Sequence, residues 1–90
     1  MSYTVVISDQ AEKELGKLEK EAAERIRGKL KKLREKVNEW GVDPDHYFDW
    51  LDKYNVHKIR VGDYRLFTDI DKDRKQLNIL TIRHRENAYM

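Results

Sequence analysis

The feature that most constrains this chain is a change of hydrophobic period between its two halves. Apolar residues first recur in steps of four and three, separated mostly by charged residues, which predicts an amphipathic helix. The members of this stripe are Ile26, Leu30, Leu33, Val37 and Trp40. From Val56 onward the period falls to about two, which is typical of strands. A chain with both periods is expected to bury a helix face against a sheet.

Local signals place the remaining helical elements. The β-branched and aromatic run Tyr3 to Ile7 predicts a first strand. Asp9 and Glu12 have the spacing of a capping box, which would open a short helix with Ala11, Leu15 and Leu18 on one face. The long helix is expected to end at Gly41, with Pro44 beyond it. Residues 44–54 then form an acidic and aromatic connection with room for one helical turn.

Three strands are predicted at Val56–Val61, Tyr64–Ile70 and Gln76–His84. The expected fold class is therefore α+β, with an N-terminal strand, a two-helix hairpin and a three-stranded antiparallel meander. Both helices should pack on one face of this small sheet. Ninety residues correspond to a single domain spanning 1–90.

Composition excludes several classes of protein. The absence of cysteine rules out disulfides and thiolate metal sites and favours the cytoplasm. The longest aliphatic run, Val5 to Ile7, is too short for a membrane span. Neither paired metal-ligand spacing nor a glycine-rich phosphate loop is present, so we expect no metal and no cofactor. The net charge of +2 hides an acidic middle of −3 over residues 41–56 and a basic last third of +3 over residues 57–90.

The Gly62-Asp63 pair predicts a two-residue hairpin turn between the first two meander strands. In that register Arg60 pairs with Arg65, and Lys58 pairs with Phe67. Because side chains alternate, these four residues share one sheet face, while Ile59, Val61, Tyr64 and Leu66 face the core. Two arginines directly opposite each other repel, so folding does not explain their placement. A bound polyanion would explain it; an ordinary charged surface is the competing interpretation.

The last strand can extend this basic face. If Leu80 and Ile82 face the core, then Ile79, Thr81 and Arg83 lie on the other face, which Arg65 shares. The chain would then leave the sheet through His84 and Arg85, close to the Arg65 end. Arginines arranged in this way suit contact with phosphates.

The run from His57 to Arg65, HKIRVGDYR, is similar to the YRIRVGDYR signature of the RelE/ParE toxin superfamily. The ending His84-Arg85 followed by Tyr89 resembles the closing H-R-x-x-x-Y of the RelE-like branch, the mRNA interferases of type II toxin-antitoxin systems. The resemblance covers nearly the whole chain. It implies a RelE-like toxin that cuts mRNA in the ribosomal A site, without a metal, and so inhibits translation.

Carried over by position, the resemblance implies that Arg65 holds the scissile phosphate and that Arg85 and Tyr89 complete the site. Lys58, Arg60 and Arg83 would bind RNA. One departure is Val56, which stands where some ribosome-dependent relatives carry a second lysine. The candidates for proton transfer are His84, Tyr89, Lys58 and His57, and among them an unperturbed His titrates closest to neutral pH.

The resemblance also implies a cognate antitoxin, which would lay its helices over the toxin's helices and part of the basic face. The long helix additionally permits a homodimer of the free chain. Two other functions fit the same fold: a toxin that binds another target such as DNA gyrase, and a catalytically degenerate homologue that binds RNA without cleaving it.

Overall fold

The structure is a computed structural model that describes residues 2–86, so Tyr89 lies outside the described residues. A five-stranded open sheet carries both helices on one face. The elements in chain order are β1 (Thr4–Ile7), α1 (Asp9–Gly16), α2 (Lys20–Trp40), a 3-10 turn (Pro44–Tyr47), β2 (Asp49–Leu51), β3 (Val56–Val61), β4 (Tyr64–Asp71) and β5 (Gln76–His84). The strand order is β1-β5-β4-β3-β2, with β1 parallel to β5 and the other neighbours antiparallel. The α+β prediction is confirmed.

The core lies between the helices and one sheet face. Its helical side consists of Ala11 and Leu15 from α1 and of Ile26, Leu30, Leu33 and Val37 from α2. Ile59, Val61, Leu66, Leu77, Ile79 and Ile82 supply most of the sheet side. Trp40 is an exception to the predicted stripe, because its side chain is 77% exposed. It is the last residue of α2, where the chain leaves the helix at Gly41 in the left-handed conformation, and it lies outside the core.

Local interactions explain where α1 begins and where α2 ends. The cap of α1 is Ser8, whose hydroxyl accepts from the Ala11 N–H at 3.0 Å, and not Asp9 as the sequence spacing suggested. The earlier start follows from the Ser8 side chain, which also donates to the Leu80 carbonyl and so ties the cap to β5. The long helix α2 ends at Gly41, which has φ +64°, a conformation that costs little for glycine.

The meander has four strands instead of the predicted three. The extra strand, β2, pairs with β3 so that Asp49 lies opposite Lys58 and Leu51 opposite Val56. A three-residue strand within an acidic connection carries no alternating pattern long enough to detect, which is why the sequence indicated only a loop there.

A register shift on β5 changes which side chains face the core. Thr81 pairs with Phe67, whereas Ile79 pairs with the next residue, Thr68, so Leu80 is an additional residue at a bulge. Ile79 is therefore fully buried in the core, and Leu80 is 38% exposed. The sequence prediction, which placed Leu80 in the core and Ile79 on the opposite face, is wrong because it assumed unbroken alternation.

Candidate nucleic-acid interface

Three arginines form one row across three neighbouring strands. The hairpin register is the predicted one, so Arg60 on β3 lies directly opposite Arg65 on β4. On the other side of Arg65 lies Arg83 of β5. Adjacent strands are about 4.8 Å apart, so three like charges follow one another at close spacing. We call these three residues (Arg60, Arg65 and Arg83) the arginine row. Like charges directly opposite each other destabilise a sheet.

The central arginine of the row carries unused hydrogen-bond donors. Arg65 Nε and Nη1 are both buried, and neither has a hydrogen-bond partner within residues 2–86. Buried polar atoms normally have partners, so the unpartnered guanidinium of Arg65 is an exception that the fold does not explain. Phosphate oxygens match its fork geometry and its permanent charge.

The flanking arginines have different surroundings. Arg60 Nε donates to the Gly62 carbonyl at 3.2 Å, which holds the side chain towards the hairpin turn. Arg83 is exposed and forms no ion pair within the part of the chain that the structure describes. Arg60 and Arg83 therefore leave the positive charge of the row available at the surface.

Arg85 is anchored to the same end of the sheet by the hairpin turn. Its backbone N–H donates to the Asp63 carbonyl at 2.7 Å, and its Nε lies 3.9 Å from Asp63 Oδ1. The Arg85 side chain stays 55% exposed. The predicted exit of the chain near the Arg65 end of the sheet is thus confirmed, and the two contacts with Asp63 hold Arg85 at that end.

Lys58 lies two residues before Arg60 on β3, on the same face and opposite Phe67. Its side chain is only 17% exposed, and its Nζ lies 3.9 Å from Asp49 Oδ2 on β2. The sequence does not predict this contact, because the three residues Asp49–Leu51 are too few to be identified as a strand.

The two strand histidines belong to the helix side of the sheet. The His84 ring packs edge-on against Tyr64 at 5.4 Å between centroids, and its Nδ1 accepts from the Glu86 N–H at 3.3 Å. The His57 ring lies 4.9 Å from Trp50, and its Nε2 is 3.6 Å from Asp45 Oδ1. The structure therefore brings Lys58 and Arg85 to the arginine row but not His84 or His57.

Neither a membrane-crossing helix nor a metal-binding group is found among residues 2–86. None of the helices there is both long and apolar enough to span a bilayer. No three His, Asp or Glu side chains in that range come together in a way that could hold a metal ion.

The comparisons with known proteins agree with this architecture. Residues 5–89 match the family model of the ParE toxin of the type II toxin-antitoxin system parDE. The chain therefore belongs to this toxin family, within the RelE/ParE superfamily. No curated protein sequence matches the chain.

Solved structures of RelE proteins share the fold. The archaeal RelE-RelB complex from Pyrococcus horikoshii OT3 matches at 25% identity and a TM-score of 0.69, covering 98% of this chain and 100% of that chain. A mutant of the E. coli toxin RelE in the free state matches at 21% identity and a TM-score of 0.69, covering 98% and 88%. The RelBE2 toxin-antitoxin complex from Mycobacterium tuberculosis matches at 24% identity and 0.66, covering 94% and 100%.

Proposed function

We propose that this toxin is a ribosome-dependent endoribonuclease that cleaves mRNA in the ribosomal A site, and that a cognate antitoxin holds it inactive. The observation that carries the proposal is the arginine row with unpartnered Nε and Nη1 atoms at its centre. The antitoxin follows from the toxin-antitoxin family and from similar structures that are toxin-antitoxin complexes.

The chemistry requires no group beyond the RNA and the side chains. The 2′-oxygen of the nucleotide before the scissile bond attacks the phosphorus, the bond from phosphorus to the 5′-oxygen breaks, and the products are a 2′,3′-cyclic phosphate and a 5′-hydroxyl. Negative charge accumulates on the phosphorane oxygens. Arg65 and Arg85 would stabilise that charge, and removal of one such donor typically slows an enzyme about 10²–10³-fold.

Proton transfer has a candidate on the correct face. Lys58 shares the outer face with Arg65, which supports it as the group that exchanges a proton with the 2′-hydroxyl or the leaving oxygen. The contact of His84 with Tyr64 on the opposite face favours a structural role for that histidine. Tyr89 keeps its proposed part in the site through its position in the sequence motif.

The test is primer extension on a defined mRNA incubated with the purified chain, with and without programmed ribosomes. We expect cuts in register with codons only when ribosomes are present, and their loss in Arg65→Ala and Arg85→Ala. The matched control is Arg74→Ala, which removes an exposed arginine at the far end of the sheet. Cuts on free RNA would remove the ribosome from the mechanism. If the folded wild-type chain makes no cut, the nuclease proposal is wrong.

A second function has its own support, because the matching family model is that of a ParE toxin and not of a RelE toxin. In this alternative the chain inhibits DNA gyrase by binding it and performs no RNA chemistry. Gyrase-dependent DNA breaks without mRNA cuts would select it. Salt-sensitive RNA binding with neither activity would instead identify a degenerate homologue.

A further inference from the structure

An acidic residue lies at the hairpin turn beside the arginine row. This residue, Asp63, comes two positions before Arg65 in the sequence. Across the two strands, Arg65 lies opposite Arg83, and two positions further along each chain segment Asp63 contacts Arg85. A pair of like charges is thus followed by a pair of opposite charges. An acid at this position repels the phosphates that the row would bind, so RNA binding alone does not explain it.

Backbone contacts give the turn a fixed shape. Gly62 has φ +59°, a conformation that two-residue hairpin turns use, and its carbonyl accepts from Arg60 Nε at 3.2 Å. The Asp63 carbonyl accepts from the Arg85 N–H at 2.7 Å. These bonds hold the turn and the segment that follows β5 without using the Asp63 carboxylate. A change of the Asp63 side chain therefore leaves the bond from the Arg85 N–H to the carbonyl in place.

The side chains of Asp63 and Arg85 form a second, looser contact. Asp63 Oδ1 lies 3.9 Å from Arg85 Nε, which is beyond hydrogen-bond distance, and the two side chains are 63% and 55% exposed. No other acid among residues 2–86 forms an ion pair with Arg85. Exposed ion pairs contribute little to the stability of a fold. Stability therefore gives no strong reason for this pair.

The geometry of the contact suits a role in orienting the guanidinium. The carboxylate approaches Arg85 at Nε, so the edge formed by Nη1 and Nη2 stays available for a bidentate contact with a phosphate. An arginine side chain has many rotamers, and its freedom must be lost before it binds phosphate in one orientation. A carboxylate that holds Nε removes part of this freedom before the RNA arrives.

We propose that Asp63 is a positioning residue that holds the Arg85 guanidinium at the Arg65 end of the sheet for the scissile phosphate. The inference rests on the proposed function, in which Arg85 stabilises the phosphorane. Asp63 acts through Arg85 and contacts no reacting atom. Its negative charge weakens RNA binding, while its contact with Arg85 speeds cleavage of the bound RNA. These two effects have opposite signs, which distinguishes positioning from a structural role.

The first experiment measures both effects in Asp63→Asn, which keeps a turn sequence, Gly-Asn, that hairpins favour. Single-turnover cleavage of a defined mRNA on programmed ribosomes, with the toxin saturating, should slow about threefold to tenfold. Binding of a labelled RNA oligonucleotide to the free chain, followed by fluorescence anisotropy at low salt, should tighten about twofold. Asp63→Glu should recover part of the rate, because it restores the carboxylate. The matched control is Asp73→Asn, which removes the same charge from an exposed position in the β4–β5 turn and should change neither quantity.

A second measurement needs no RNA. Nitrogen-15 relaxation of the Arg85 Nε–Hε group, assigned by its absence in Arg85→Lys, reports how tightly the side chain is held. Its order parameter should fall in Asp63→Asn and stay unchanged in Asp73→Asn. The proposal is overturned if Asp63→Asn leaves the order parameter unchanged, if it leaves the rate of an active chain unchanged, or if rate and RNA affinity fall together. If the wild-type chain makes no cut, the proposed function fails instead, and the order parameter alone then decides whether Asp63 holds Arg85.

Discussion

Charged residues lie at both ends of strand β4, but they are paired with opposite charges at one end and placed beside like charges at the other. Just past the C-terminal end, Lys72 Nζ lies 2.9 Å from Asp45 Oδ2 and 3.4 Å from Asp43 Oδ2, so this cation has two partners of opposite charge. At the N-terminal end, Arg65 lies between two further arginines and has unpartnered nitrogens within residues 2–86. Arrangements of the first kind stabilise the fold, whereas those of the second kind reduce its stability.

Whether a charged side chain has partners of opposite charge therefore distinguishes charges that stabilise the fold from charges that serve function. Lys72 links the 3-10 turn to the β4–β5 turn. Its substitution should lower only the stability of the fold. Arg65 adds repulsion and unsatisfied donors, so its loss should be felt in activity while stability is unchanged or improved. A natural chain retains such a residue when function requires it.

The largest effect is expected for Arg65→Met, which keeps the apolar stem and removes the guanidinium. Under the proposed function, the single-turnover cleavage rate should fall about 10²–10³-fold. The free energy of unfolding should stay the same or rise by up to about 1 kcal/mol, because repulsion in the row is relieved. Chemical denaturation and primer extension on the same sample measure both quantities. A clear loss of stability would show that Arg65 has a structural role, and would contradict the distinction between the two ends of β4.

The next largest effect is expected for Glu14→Ala in α1. The Glu14 carboxylate accepts from the Ile82 N–H at 2.9 Å and from the Thr81 hydroxyl at 2.9 and 3.1 Å, where β5 extends beyond β1. Its removal leaves those donors without this acceptor and should lower the free energy of unfolding by about 1–3 kcal/mol. Urea denaturation measures the loss, and Glu12→Ala on the same helix is a control for the lost charge. Equal losses in both variants would contradict a specific role for Glu14.

The sequence predicted the arginine row because its cause is local. Gly62, with φ +59°, and Asp63 form the turn, and a two-residue turn fixes every pair of the hairpin that follows it. The bulge at Leu80 was missed for the opposite reason. It accompanies the end of β1 pairing, where the Ser8 N–H bonds to the Ile79 carbonyl, and that contact joins residues far apart in the chain. Local patterns do not contain such information.

The sequence predicted which cations of the candidate site share a sheet face, but it did not predict which side chains contact them. Arg60, Arg65 and Arg83 share a row as the alternation of the strands indicated. The contact of Lys58 with Asp49 depends on β2, which has no sequence pattern. Residue types are visible in a sequence, but the partner that each one meets is set by tertiary structure.

A smaller effect is expected for Arg60→Gln, which removes one charge from the row while keeping a polar side chain. The free energy of unfolding should rise by a few tenths of a kcal/mol at low salt, and the gain should shrink as salt screens the repulsion. Thermal unfolding at several salt concentrations measures this, with Arg74→Gln as the control because Arg74 has an acidic neighbour, Asp71. A destabilised Arg60→Gln would mean that its bond to the Gly62 carbonyl outweighs the repulsion.

The smallest effect is expected for Lys72→Met, and its pH dependence identifies the cause. The Asp45 N–H, and then Lys72, hold the pKa of Asp43 below its ordinary value of 3.8, while Asp45 and then Asp43 raise the pKa of Lys72 above 10.5. A lowered carboxyl pKa stabilises the fold above its ordinary value and ceases to do so as the pH falls through the folded-state value. A raised lysine pKa stabilises below 10.5, and that contribution disappears as the pH rises through the higher folded value. The melting temperature of Lys72→Met should therefore be slightly below that of the wild type near neutral pH, and the two should converge in acid and in strong base. Lys17→Met serves as the control, and a difference that persists in acid would assign the effect to packing instead of charge.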